Sequence, residues 1–219
     1  MRKTFLAITL FLAFSKAALA QFGNCTASEM RTYVDSATGN TITMLTDTMK
    51  NDRFLYQTDP MWTADGKYLL FRSSSRGNDK EVESTLPNGE KRKWTPTQIY
   101  FIEMATGKII QATEGPNLGS AFLANKTNRM FVSRKEKENW NMYVMDLDKF
   151  FADVKQGKVG KPSAYETFIG TFPTEMGRPG GYAVDCNDDY AYITVEREGT
   201  EEEKERMMKN AFMHESNQP

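Results

Sequence analysis

Met61-Trp62-Thr63-Ala64-Asp65-Gly66-Lys67-Tyr68-Leu69-Leu70-Phe71 is the stretch that decides the fold. Asp65-Gly66 supplies the positive φ of a tight turn, so Met61–Ala64 and Tyr68–Phe71 read as paired antiparallel strands. The second is nearly all apolar, which predicts burial on both faces. Further on, Ile99–Glu103 makes a third strand, Ala105-Thr106-Gly107-Lys108 turns the chain, and Ile109–Thr113 makes a fourth. The product is a four-stranded antiparallel meander.

The unit recurs. Ser120–Ala124, a turn at Asn125–Asn128 and Arg129–Ser133 repeat the first two strands, and Asn141–Asp146 repeats the third. Gly181–Asp185, a turn at Asn187-Asp188-Asp189 and Tyr190–Val195 start it again. Trp62, Phe122 and Tyr182 lead their strands at a spacing of 60 residues. Upstream, Tyr33-Val34-Asp35-Ser36-Ala37-Thr38-Gly39 matches Phe101-Ile102-Glu103-Met104-Ala105-Thr106-Gly107, which gives an outer hairpin without inner strands.

Half a unit, two units and half a unit follow one another. A long period built on four strands is that of a propeller blade enlarged by loop insertions. The expected fold is all-β, a β-propeller truncated to an open arc of about three four-stranded blades. Such an arc leaves unpaired strand edges and an uncovered face at both ends. A small β-sandwich also fits short strands at regular spacing. Gly77–Pro96 is charged and turn-rich and reads as a long mobile insertion. Glu201–Phe212 reads as a short C-terminal helix.

The first 20 residues read as an address. Arg2 and Lys3 precede the apolar run Thr4–Phe14, and Ala18-Leu19-Ala20 is a small-x-small cleavage site. The expected organisation is a signal peptide over residues 1–20 cut after Ala20, a partial propeller over 21–198, and a helical or polar tail over 199–219. The run is short for a bilayer span, and no lipobox precedes Cys25, so no membrane anchor is expected after cleavage. The product would be periplasmic or secreted. Cleavage removes three basic groups and no acid, taking the formal net charge from −1 to −4. That gives no reason to expect nucleic acid as a partner. Cys25 and Cys186 could pair in an oxidising compartment or stand as separate thiols. One histidine, His214, and two cysteines are too few for a histidine-rich or four-cysteine metal site.

Leu55-Tyr56-Gln57-Thr58-Asp59-Pro60-Met61-Trp62-Thr63-Ala64-Asp65-Gly66-Lys67 and Ala105-Thr106-Gly107-Lys108-Ile109-Ile110-Gln111-Ala112-Thr113-Glu114-Gly115-Pro116 resemble the N-terminal portion of oligogalacturonate lyase-like propellers. Gly180-Gly181-Tyr182-Ala183-Val184-Asp185 resembles the start of the next blade, and the likeness runs over residues 31–197. The strand–Asp-Gly–strand core is shared with TolB-type, WD40-like repeats and with some serine-peptidase propellers. The family implies exported seven-bladed propellers that cleave short pectin fragments by β-elimination. It also implies manganese held largely by histidines of later blades. On that resemblance the chain is part of a lyase of pectin catabolism, catalytically incomplete by itself, with an acidic oligosaccharide as partner. The alternative is a non-catalytic TolB-like binding or scaffold module.

Propeller ligands gather where loops enter the inner strand and leave the second one. The second strands end in Arg72, Arg134 and Arg197, and Arg76, Lys135 and Arg178 lie in the same class of loop. Arginine matches a carboxylate bidentately, so Arg72, Arg178 and Arg134 are the candidate substrate-binding residues. No catalytic or metal-ligating residue is assigned. Trp62 is expected in the core, and Asp65, Asp185 and Asp188 are expected as turn formers.

Overall fold

The computed structural model describes residues 21–77, 80–85, 89–172 and 178–196. The expected leader, the C-terminal helix and Arg197 lie outside the described residues. In chain order the elements are β1 (Cys25–Thr26), β2 (Arg31–Val34), β3 (Thr41–Met44), β4 (Asp52–Arg53), β5 (Tyr68–Ser73), β6 (Val82–Thr85), β7 (Lys91–Trp94), β8 (Gln98–Glu103), β9 (Ile109–Gln111), β10 (Leu118–Leu123), β11 (Arg129–Glu136), β12 (Asn139–Asp146), α1 (Leu147–Gln156), β13 (Glu166–Thr171), β14 (Arg178–Val184) and β15 (Ala191–Glu196). The chain is mostly β, with antiparallel sheets and no closed barrel among the described residues.

The first large sheet runs β1-β9-β8-β5-β4 and the second β10-β11-β12-β13. The hairpins β2-β3, β6-β7 and β14-β15 are separate two-stranded sheets. Side-chain alternation sends opposite faces of each large sheet into different apolar layers. Leu69, Phe71, Tyr100, Ile102 and Ile109 form one layer, joined by Leu45 and Met61. Tyr68, Leu70 and Phe101 meet Leu123, Met130, Val132 and Met145 in the seam between the two large sheets. Phe122, Phe131 and Met142 meet Tyr182, Val184 and Ile193 of β14-β15 on the far side. Tyr68 to Phe71 are 0–5% exposed, as an apolar strand between two layers must be.

Turn chemistry shows which hairpins are equivalent. The inner turns close with the same five-residue offset. Thr63 N–H donates to Tyr68 O, Ala124 to Arg129 O, and Asp185 to Tyr190 O. The outer turns match too. Gly39 N–H donates to Asp35 O and Gly107 N–H to Glu103 O, at 2.8 and 2.7 Å. Both glycines have φ near +70°, which a side chain would strain.

Four expectations are revised. The Met61–Ala64 strand contracts to one bridge, Trp62 to Leu69, because β4 takes the rest of that edge of β5 and Pro60 has no N–H to give. β1 adds a fifth strand outside β9. Gly77–Pro96 carries the β6-β7 hairpin, in register from Val82 opposite Trp94 to Thr85 opposite Lys91. Trp62 is 47% exposed and lies outside the core.

The second large sheet holds what the sequence reading left out. β12 runs directly into α1, whose first turn is capped by the Asp146 carboxylate accepting from Lys149 N–H at 3.0 Å. Leu147, Phe150 and Phe151 of α1 are buried. Phe151 stacks on Tyr68 of the first sheet with centroids 3.7 Å apart, so the helix closes the seam between the sheets. α1 is too short and polar to cross a membrane, and no described helix is long and apolar enough to do so. The chain then returns as β13, the fourth strand.

Candidate functional site

At the end of the sheets away from the inner turns, a cleft of about 550 Å³ opens over the seam. Its walls come from the end of β5 (Arg72, Ser74), the start of β10 (Leu118–Ser120), the start of β14 (Gly180, Gly181) and the segment from Asn51 to Asp59. Tyr56 and Trp94 add exposed aromatic surface. The end of β7 thus brings the base of an inserted hairpin to the rim.

Arg72 is where the sequence reading put it. Even-numbered residues of β5 face the seam, and Arg72 lies beyond Leu70 where the seam opens to solvent. Its cross-strand partner was not foreseen. Arg53 of β4 is directly opposite Arg72, so two guanidiniums share one face of the sheet. Opposed like charges are unfavourable. Neither is in an ion pair among the described residues. Arg53 Nε donates to Asn51 Oδ1 at 3.2 Å. Asn51 is fixed in turn by Ser74 Oγ and Ser75 Oγ, each at 2.8 Å. A serine-lined loop therefore holds β4 against β5, and two guanidiniums face a cleft that a carboxylate can enter.

The other candidate arginines are placed differently. Arg134 shares the seam face of β11 with Val132 and Met130, but its guanidinium is paired with Glu166 of β13. Both groups are shielded, with 15% and 7% of their side chains exposed. Burial pushes the Glu166 carboxyl up from the ordinary range, and Arg134 pulls the other way. Arg178 opens β14, its backbone paired with Glu196. Arg76 lies on the opposite face of the first sheet from Arg72, over the Phe71 ring at 5.2 Å. It is clamped by Glu29 and Asp52, with Nε to Asp52 Oδ1 at 2.8 Å and Nη1 to Glu29 Oε1 at 2.9 Å. Burial works against its charge and the two carboxylates more than offset that, so Arg76 is a structural cation.

A second hollow of about 760 Å³ lies at the inner-turn end and is lined by Asp65, Asn128, Asp146 and Asp148. Its acids and its amide are already used. Asn128 Nδ2 donates to Asp148 Oδ1 at 2.8 Å, Asp65 is paired with Lys67 at 2.8 Å, and Asp146 caps α1. The cleft at Arg53 and Arg72 is therefore the better candidate.

Among the described residues no three His, Cys, Asp or Glu side chains come together as metal ligands, so those residues do not fit the manganese site that the resemblance implies. Cys25 and Cys186 are both exposed free thiols. Asp65, Asp185 and Asp188 sit in turns, as expected.

Solved structures show the same fold. An oligogalacturonate lyase in complex with manganese matches 77% of this chain and 36% of its own, with a TM-score of 0.52 and 20% identity. An oligogalacturonate lyase from Vibrio parahaemolyticus matches 76% of this chain and 35% of its own, with a TM-score of 0.52 and 21% identity. The chain thus spans about a third of the length of these lyases. No family model and no curated protein matches the sequence.

Proposed function

We propose that the chain is an arc of a β-propeller, of half a blade, two blades and half a blade, that binds short acidic oligosaccharides of the oligogalacturonate type. The opposed Arg53 and Arg72 over the open seam carry this reading. A uronate carboxylate placed between them accepts charge-assisted hydrogen bonds from both and removes their mutual repulsion. Tyr56 and Trp94 offer apolar ring faces to the sugar while the carboxylates stay at the rim. Arg178 is kept as a binding candidate by its position at the start of β14, and Arg134, also read as a binding residue from the sequence, would add to the basic wall only by releasing Glu166.

The fold shared with oligogalacturonate lyases supports the substrate class. β-Elimination removes the proton α to a uronate carboxylate. It needs a base at that carbon and positive charge on the developing enolate-like oxygens. Arg53 and Arg72 supply positive charge to the carboxylate. The only histidine of the sequence is His214, outside the described residues. We infer a substrate-holding part of a lyase of pectin breakdown, incomplete in catalysis by itself and exported by the leader over residues 1–20. The absence of a histidine between residues 21 and 196 equally favours a TolB-like binding module.

Titration with digalacturonate, followed by calorimetry and tryptophan fluorescence, tests the site. Arg53→Ala and Arg72→Ala should each weaken binding by about tenfold, the loss of one charged hydrogen-bond partner. Unchanged affinity in both variants would refute the site. Release of unsaturated uronate by the 219-residue chain would refute its catalytic incompleteness.

A further inference from the structure

The segment that follows Ala18-Leu19-Ala20 is built into the fold from its first residue. Phe22 is 4% exposed, its ring 5.0 Å from that of Phe150 and 5.7 Å from that of Tyr165. Gly23 N–H donates to Gln111 O at 2.7 Å, and Gln111 N–H to Asn24 O at 2.9 Å. The backbone nitrogens of Gln21 and Phe22 both donate to one carboxylate oxygen, Glu114 Oε2, at 3.0 and 3.1 Å. Two amides need no anion where a carbonyl would serve. One carboxylate oxygen that takes the N–H groups of both Gln21 and Phe22 is also placed to take an ammonium at the first of them.

We propose that Glu114 is the receptor for the mature amino terminus. This rests on the reading that residues 1–20 are an export leader. An endopeptidase of the export machinery adds water across the Ala20–Gln21 bond. The new carboxylate leaves with Ala20, and the Gln21 amine takes up a proton. The former amide at Glu114 Oε2 becomes an ammonium, so a neutral hydrogen bond becomes a charge-assisted one. Cleavage thereby tightens the contact that pins Phe22 under α1.

The consequence is a pH dependence of defined sign. A free α-amino group has a pKa of about 7.7–8.0, and a carboxylate partner raises it in the folded state. The added stability is therefore complete below that range and is lost as pH rises through the folded value. Tyr165, whose ring lies against Phe22, is a titratable neighbour, and its hydroxyl donates to Asp153 Oδ2 at 2.9 Å.

The test expresses the whole chain in an exporting bacterial host and reads the amino terminus by sequencing and intact mass. Thermal midpoints of the wild type and Glu114→Gln are then compared at pH 6 and pH 10. The expected result is a chain beginning at Gln21, with Glu114→Gln lowering Tm by about 4 °C at pH 6 and by about 1 °C at pH 10. A chain that keeps residues 1–20 or begins elsewhere would overturn the export reading together with this one. A start at Gln21 with equal Tm losses at both pH values would overturn the receptor alone. If Glu114→Gln does not fold, Glu114→Asp replaces it, since a shortened carboxylate should keep part of the pH-dependent difference.

Discussion

Asp188 accepts both the backbone N–H and the hydroxyl of Thr127, at 2.8 and 2.9 Å, from the inner turn of the preceding sheet. Its carboxylate also takes the N–H groups of Asn125 and Lys126 at 2.6 and 2.8 Å. One turn thus caps its neighbour. The first two units show a related contact, with Asp65 N–H donating to Asn128 Oδ1 at 3.2 Å.

Substitution at Asp188 separates the charge from the backbone conformation. Its φ is +64°, which Asn tolerates and Ala does not. Asp188→Ala should cost about 2 kcal/mol, combining loss of a cap with left-handed strain. Asp188→Asn should cost about half that, because it keeps one acceptor oxygen and the αL preference. Urea titration of both variants checks the order.

Acid should weaken the molecule at these turns. For Asp65, burial opposes ionisation, but Lys67 and the Thr63 hydroxyl outweigh it and hold the carboxyl at about 2. Asp188 is held low in the same sense by its three N–H donors, against desolvation. A depressed folded pKa gives stability that is present above the unfolded value of about 3.9 and lost as pH falls through the folded one. Tm should therefore drop between about pH 4 and pH 2, and less steeply in Asp65→Asn. Glu166 acts in the opposite sense. Its raised carboxyl makes the folded state less stable as pH rises above about 4.3.

The Arg134–Glu166 pair should behave as a shielded ion pair. Arg134→Met strands the Glu166 carboxylate where burial already opposes its charge and should cost about 2 kcal/mol, less than a fully buried pair because both groups keep some solvent contact. The double variant Arg134→Met/Glu166→Leu should return close to wild-type stability. A double-mutant cycle by denaturant unfolding measures the coupling.

Phe150 joins α1 to the seam and to Phe22. Phe150→Ala should cost about 3–5 kcal/mol, and calorimetry would show Tm reduced by about 10 °C. Asp146→Ala removes only the cap and should cost about 1 kcal/mol.

The all-β class, the inner turns and the doubly buried β5 were legible because turn residues and apolar runs are local signals. α1 was legible in principle. Asp146 is a cap, Leu147, Phe150, Phe151 and Val154 follow helical spacing, and Gly157 ends the run. The sequence reading assigned no element between Asp146 and Gly180 and so passed over it. Arg72 was found because its strand could be numbered. Arg53 could not be, since a two-residue strand has no period and its pairing is fixed by the Asn51–Ser74 and Asn51–Ser75 hydrogen bonds. Arg134 shows the limit of reading charges one at a time, because its partner comes from β13, which the sequence reading did not assign.

The three apolar layers alternate with sheets like leaves in a book among the described residues. Such a chain is close to one-dimensional in its energetics, with cohesion summed from nearest-neighbour terms. Hydrogen exchange should then grade along the stack, slowest at β5, β8 and β11 beside the central seam and fastest at the outer leaves β2-β3 and β14-β15.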